Sequence, residues 1–139
     1  MMWKLIGVFL GFVGVAILVM YLSSPSGIDA ASDGKALTEV NVPVLSNAEK
    51  AGEVAYNKNC ASCHGINAAG KEGLAPPLVH RIYEPNHHGD MSFVLAAKQG
   101  TRQHHWRYGN MPPVRGVSDG EIANIIAHVR RLQSANGIN

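Results

Sequence analysis

The hydrophobic residues of this chain form one long uninterrupted run and several shorter groups with helical spacing. Residues 5–22 contain no charged side chain, and as a helix they would extend about 27 Å, close to the thickness of a bilayer core. Trp3 and Tyr21 lie near the two ends of the run, where aromatic rings favour the membrane interface, and Lys4 precedes it. The pattern predicts a transmembrane anchor in residues 1–22, with its start on the cytoplasmic side.

A cleaved signal peptide is the alternative interpretation of this run. Such a peptide usually has a shorter apolar region followed by an Ala-x-Ala-like site, and residues 23–30 contain no clear site of that kind. We therefore expect an uncleaved anchor. Residues 23–45 carry Ser, Pro, Gly, Asp and Ala without a sustained period, which predicts a flexible linker to a domain formed by residues 46–139.

Two capping signals frame the helices of this domain. Ser46 or Asn47 can cap a helix over residues 48–56. Ser118 and Glu121 form a capping box that opens a last helix. The hydrophobic face of that helix carries Ile122, Ile125, Ile126, Val129 and Leu132.

Between these helices the pattern predicts one further helix and two loops. Asp90 can cap a helix over residues 91–99, which Gly100 would end. Glycines and prolines in residues 65–78 and 101–117 indicate two loops, which we expect to wrap around a site in the domain. Hydrophobic and polar residues do not alternate with a sustained period of two, so we expect an all-α domain without a sheet of consequence.

The two cysteines of the chain stand in the segment Cys60-Ala61-Ser62-Cys63-His64. This pattern is the attachment signature of a c-type haem, because both thiols can reach porphyrin vinyl groups from one helical turn that also brings His64 beneath the iron. A zinc site would need further ligands, and without a second cysteine pair it would have to mix Cys with His. A thiol redox pair would favour a surrounding βαβ pattern, which the sequence lacks. The motif predicts one covalent haem c and electron transfer.

Composition limits the size and partners of the protein. A chain of 139 residues, 46% hydrophobic and 16% charged, can form one small domain plus an appendage. Its formal net charge of +2 is too small to indicate nucleic-acid binding. Since no cysteine remains for a disulfide, we expect the haem to fill much of the core and the apoprotein to be poorly folded.

Residues on both sides of the haem motif add a resemblance. They are Gly52, Tyr56, a Pro-x-Leu at Pro76 and Leu78, and a Met-Pro at Met111 and Pro112. With the motif, in this order, they resemble the class I cytochromes c over about residues 46–134. The resemblance implies the small fold of that family, in which helices wrap a covalent haem and the glycine and aromatic of the first helix pack against the last.

The resemblance also implies roles at the haem. The carbonyl of Pro76 would accept the ring N–H of His64, and Leu78 would pack on the porphyrin. The sulfur of Met111 would be the sixth iron ligand, which raises the reduction potential and leaves no room for a substrate. Met91 is the rival ligand, but it precedes a helical pattern that is more typical of a packing residue. We therefore expect an electron carrier rather than an enzyme.

Histidine content is the main departure from that family. His128 stands where an aromatic residue is common, and we expect it to pack near Gly52 and Tyr56 rather than bind a metal. The remaining histidines could form a second site for copper or zinc, or they could be surface residues that bind haem propionates together with Trp106, Arg102 or Arg107. These histidines are His80, His87, His88, His104 and His105.

Together these features predict a membrane-tethered cytochrome with one haem. A single spanning helix would anchor its all-α domain on the periplasmic side of a bacterial inner membrane. The domain would pass electrons between membrane or periplasmic redox proteins. The alternative is a haem domain whose second site, formed by His87, His88, His104 and His105, acts in metal handling or in a redox accessory subunit.

Overall fold

The structure, a computed structural model, describes residues 34–139. These residues form four α-helices and two short 3-10 helices, and they contain two isolated β-bridges but no strand. The expectation of a helical domain without a sheet is therefore confirmed. The α-helices are α1 (Asn47–Asn59), α2 (Ala61–His64), α3 (Asp90–Gln99) and α4 (Asp119–Ala135), and the 3-10 helices are Ile66–Ala68 and Arg81–Tyr83.

The predicted anchor, residues 1–22, lies outside the described residues. From residue 34 onward, no helix has the length and hydrophobicity that crossing a bilayer requires.

The last part of the predicted linker is bound to the domain. The backbone N–H groups of Leu37 and Thr38 both donate to the carbonyl of Ala69, at 3.1 and 3.2 Å. Asn41 exchanges two hydrogen bonds with the side chain of Asn136, and Leu45 is buried. Residues 35–45 therefore pack with the domain, because these long-range bonds satisfy a segment whose local sequence specifies no helix or strand.

Helices α1 and α4 both begin at the capping boxes that the sequence indicates. Ser46, rather than Asn47, caps α1: its hydroxyl accepts from the Glu49 N–H at 3.4 Å, and its own N–H donates to the Glu49 carboxylate at 2.6 Å. Ser118 and Glu121 make the same reciprocal pair at α4. Each box satisfies backbone donors that a helix N-terminus leaves without partners.

Helix α3 departs from the prediction at its start. The N-cap is Gly89, which offers no side-chain bond, and Asp90 is the first helical residue. The prediction that Asp90 caps α3 is therefore wrong, because its carboxylate accepts from Nε of Arg130 at 2.8 Å instead. Gly100 ends the helix with a φ of +73°, as predicted, since this left-handed conformation favours glycine.

The core forms where α1 crosses α4. A Cβ on Gly52 would lie 2.7 Å from the carbonyl carbon of Asn124 and 2.8 Å from Cβ of His128, so only glycine permits this approach. Tyr56, Val129 and Leu132 are fully buried in the same cluster. His128 is 1% exposed, and its ring centroid lies 5.7 Å from that of Tyr56, so the expectation of an interfacial histidine is confirmed.

Candidate functional site

A cavity of about 560 Å³ opens beside the α1–α4 core, within the size range of cofactor sites. Both cysteines, His64 and Met111 line it, although Met111 is separated from His64 by 47 positions in sequence. Apolar side chains form much of the remaining wall, including Leu78, Phe93, Leu95, Val114, Ile122 and Ile126. The two predicted loops form part of this wall, so the expectation that they wrap around a site agrees with the structure.

The cysteine motif consists of Cys60, which joins α1 to α2, and the four residues of α2 itself. The N–H of Cys60 ends α1 by donating to the Tyr56 carbonyl at 2.8 Å, and the N–H of His64 donates to the Cys60 carbonyl at 2.9 Å. Both thiols are free. Burial raises the pKa of Cys60 to about 11, with Cys63 adding to the shift. A redox-active Cys-x-x-Cys pair needs a lowered thiol pKa, so the structure argues against that alternative.

His64 is buried with a fixed ring orientation. Its Nδ1 lies 2.9 Å from the carbonyl of Pro76, and since a carbonyl can only accept, Nδ1 carries the proton and Nε2 keeps its lone pair. Burial lowers the pKa of His64, and the bond to Pro76 opposes the shift only in part. The imidazole is therefore neutral, and the lone pair of its Nε2 is available. A neutral imidazole of this kind is the form of histidine that binds a metal.

The two candidate methionines occupy different environments. Met111 is half-buried and lines the cavity, and its backbone is fixed by reciprocal bonds with Thr101 at 2.9 and 3.0 Å. Met91, on α3, is 64% exposed and does not belong to the cavity wall. The side chain of Met111 is thus the methionine that a ligand in the cavity would meet.

A polar network that the sequence did not reveal fixes one wall of the cavity. The guanidinium of Arg130 donates to the carbonyls of Tyr83 and His88 at 2.7 and 2.5 Å, in addition to its bond with Asp90. Gln133, one turn later, donates to the carbonyl of Leu78 at 2.7 Å. In the sequence, Arg130 and Gln133 are only two polar residues next to the apolar face of α4. This signal is too weak to identify them as members of this network.

Trp106 and Tyr83 add polar groups to the apolar wall. The indole N–H of Trp106 is buried without a hydrogen bond of good geometry, although the Tyr83 hydroxyl lies nearby. Burial raises the pKa of Tyr83 to about 12, so this side chain remains a neutral phenol. A buried donor without a partner fits a site whose ligand brings an acceptor such as a carboxylate. With the free thiols and neutral His64, the residues present fit a covalently attached haem.

The histidine doublets meet at the rim of this cavity. The Nε2 atoms of His87 and His105 lie 3.3 Å apart, and those of His88 and His104 lie 3.5 Å apart. Desolvation and then the neighbouring imidazoles lower the pKa of His105. His80 has a different role, because its Nδ1 accepts from the Ile82 N–H at 3.2 Å and caps a 3-10 helix.

Comparison with known proteins agrees with the geometry of the cavity. The family model described as Cytochrome c matches residues 49–133, which is more than half of the chain. No individual curated protein matches the chain. The matched region begins in α1 and ends in α4, so it includes the cysteine motif, both loops and the cavity. The chain therefore belongs to the cytochrome c family, whose members bind haem c covalently and transfer electrons.

Proposed function

We propose that this protein is a membrane-tethered electron carrier with one haem c, whose iron is bound by His64 and Met111. The observation that supports this proposal best is that His64, Met111 and both cysteines line one cavity, with His64 held neutral and its Nε2 free. Bound there, the haem supplies reversible one-electron chemistry at its iron.

The protein's own residues define how that cofactor is held. Cys60 and Cys63 would provide the two thioether bonds to the haem. The bond from His64 to the Pro76 carbonyl fixes the ring and raises the basicity of its free nitrogen. Met111 would add a soft, weakly donating sulfur, which would favour the reduced iron. If His64 and Met111 both held the iron, the site would be suited to electron transfer with little rearrangement and would offer no position for a substrate.

Replacing Met111 with Ala tests the ligand set. We expect the reduction potential to fall by on the order of 0.1 V, because axial ligation controls haem potentials over a range of about 0.8 V. The reduced protein should then bind carbon monoxide. Met91→Ala is the matched control, because this methionine is exposed on α3 and should leave both properties unchanged. A Met111→Ala protein that retained its potential and its near-infrared sulfur-to-iron band would refute Met111 as the ligand.

The location of the protein is part of the same proposal. Residues 1–22 would anchor it in the inner membrane of a bacterium, with the haem domain on the periplasmic side, because the uncharged run of residues 5–22 is preceded by Lys4. We expect the mature protein to retain its N-terminus in mass spectrometry, and a C-terminal alkaline phosphatase fusion to be active. A mature N-terminus near Ala31 would instead identify a cleaved signal peptide and a protein without this anchor.

Metal handling alongside electron transfer is the second candidate function. The observation in its favour is the meeting of His87, His88, His104 and His105 at the cavity rim.

A further inference from the structure

Four imidazoles from two separate loops meet at the rim of the cavity, and we call His87, His88, His104 and His105 the four-histidine cluster. Three of them, His87, His88 and His105, each offer a ligand atom, and these atoms all lie within 4.8 Å of one another. His104 completes the cluster through the 3.5 Å approach of its Nε2 to that of His88. His87, His104 and His105 are exposed, so an ion can reach the site from solvent.

The tautomers of His88 and His104 are fixed by backbone carbonyls. Nδ1 of His88 donates to the carbonyl of Ile82 at 2.6 Å, and Nδ1 of His104 donates to the carbonyl of Arg102 at 2.8 Å. In the neutral rings both Nε2 atoms therefore carry lone pairs, and these face each other at 3.5 Å without a hydrogen between them. Such a pair is repulsive unless a cation or an additional proton lies between the rings.

The spacing of the nitrogens fits a metal ion. An ion with tetrahedral geometry and metal–nitrogen bonds of 2.0–2.1 Å separates its ligand nitrogens by about 3.3–3.4 Å. The two Nε2 pairs of the cluster are separated by 3.3 and 3.5 Å. The carbonyls of Ile82 and Arg102 provide the outer hydrogen bonds that commonly orient histidine ligands.

We propose that the four-histidine cluster binds one divalent transition-metal ion of the zinc or copper class, in addition to the haem iron. Imidazole suits both metals, and the 3.3 and 3.5 Å separations of the two Nε2 pairs are compatible with a shared ion. The site goes beyond electron transfer by the haem, and it does not depend on which residue is the sixth ligand of the haem iron.

Such an ion would join the two loops that border the cavity. His87 and His88 follow the 3-10 helix Arg81–Tyr83, and the carbonyl of His88 is already held by Arg130. His104 and His105 belong to the loop that begins after α3 and leads to Met111. A bound ion therefore restrains the loop that carries the candidate iron ligand, and the protein should become more resistant to heat when the ion is present.

Titration of the full-length, haem-loaded protein with zinc sulfate tests the proposal. We expect one ion per protein and at least a tenfold loss of affinity in His87→Gln and in His105→Gln. These two positions are suitable because both side chains are exposed and contact each other rather than a backbone carbonyl. His80→Asn is the matched control, since it alters a histidine outside the cluster and keeps an acceptor for the cap at Ile82.

Two further measurements distinguish a specific metal site from nonspecific binding of metal ions by surface histidines. X-ray absorption of the zinc-loaded protein should show three or four imidazole nitrogens at about 2.0–2.1 Å. Zinc should raise the melting temperature of the wild-type and His80→Asn proteins by more than it raises that of His105→Gln. A parallel titration with copper(II) establishes which of the two metals binds more tightly.

The proposal is overturned if zinc and copper(II) both bind with the same affinity to the wild type, His87→Gln and His105→Gln. It is also overturned if neither metal binds and the two variants change only the haem spectrum and potential, because the histidines would then act on the haem propionates.

Discussion

Replacing Gly52 with Ala tests the close contact on which the domain is built. In an exposed helix, Gly→Ala stabilises by about 0.5–1 kcal/mol because the unfolded chain loses freedom. Here the new Cβ would lie 2.7 Å from the carbonyl carbon of Asn124 and 2.8 Å from Cβ of His128, and closer still to the Asn124 carbonyl oxygen. Ordinary contacts begin at 3.4 Å, so α1 and α4 must separate.

Separating these helices disturbs the most tightly packed part of the core. Tyr56, Val129 and Leu132 are fully buried there, and overpacking a core of this kind costs about 1–3 kcal/mol or more. After the gain in helix propensity is subtracted, we expect Gly52→Ala to destabilise the domain by about 2 kcal/mol. This lowers the melting temperature by roughly 8–16 °C for a domain of this size.

Gly120→Ala is the matched control for this measurement. Gly120 lies in the first turn of α4, and a Cβ built there meets no atom within 4 Å. Thermal unfolding of the haem-loaded proteins, followed by circular dichroism, should place Gly120→Ala at or slightly above the wild type and Gly52→Ala well below it. The steric argument fails if Gly52→Ala melts at or above the wild-type temperature.

Two other variants test the polar contacts. Arg130→Ala removes the donors to the carbonyls of Tyr83 and His88. It should lower the free energy of unfolding, measured in guanidinium chloride, by about 2–4 kcal/mol. A loss no larger than that of Arg131→Ala would contradict this. The Ser118 backbone N–H, the Ser118 hydroxyl and Lys58 lower the pKa of Glu121 to about 2. Because this pKa is depressed on folding, the cap's stabilisation is complete above about pH 4.5 and is lost as the pH falls towards 2. The melting temperature of Glu121→Gln should therefore depend less on pH in that window, and an unchanged pH profile would refute the assignment.

The sequence determined the elements that depend on neighbouring residues. The capping boxes at Ser46 and Ser118 join residues only three positions apart, and the apolar face of α4 repeats at helical spacing. The cysteine motif likewise fits on one helical turn, so its chemistry follows from spacing alone. Such features can be predicted from the sequence because their geometry depends on a short stretch of backbone.

The start of α3 shows where this local reasoning fails. Asp90 satisfies the usual pattern of an N-cap, but Arg130 lies 40 positions later and reaches the same carboxylate. A partly buried guanidinium needs several acceptors, and a carboxylate is the strongest of them. This competition becomes visible only when α4 is placed against α3.

The tertiary structure also decided which residues meet at the cavity. Met111 and Met91 could be compared in the sequence only by their local patterns, whereas the fold gives Met111 a place in the cavity wall and leaves Met91 exposed. The histidine doublets, with His87 and His105 18 positions apart, come together because the two loops share one rim of the cavity. Residues 35–45 pack on the domain through bonds to Ala69 and Asn136. These contacts depend on the paths of whole loops, which the chain's local periodicity does not specify.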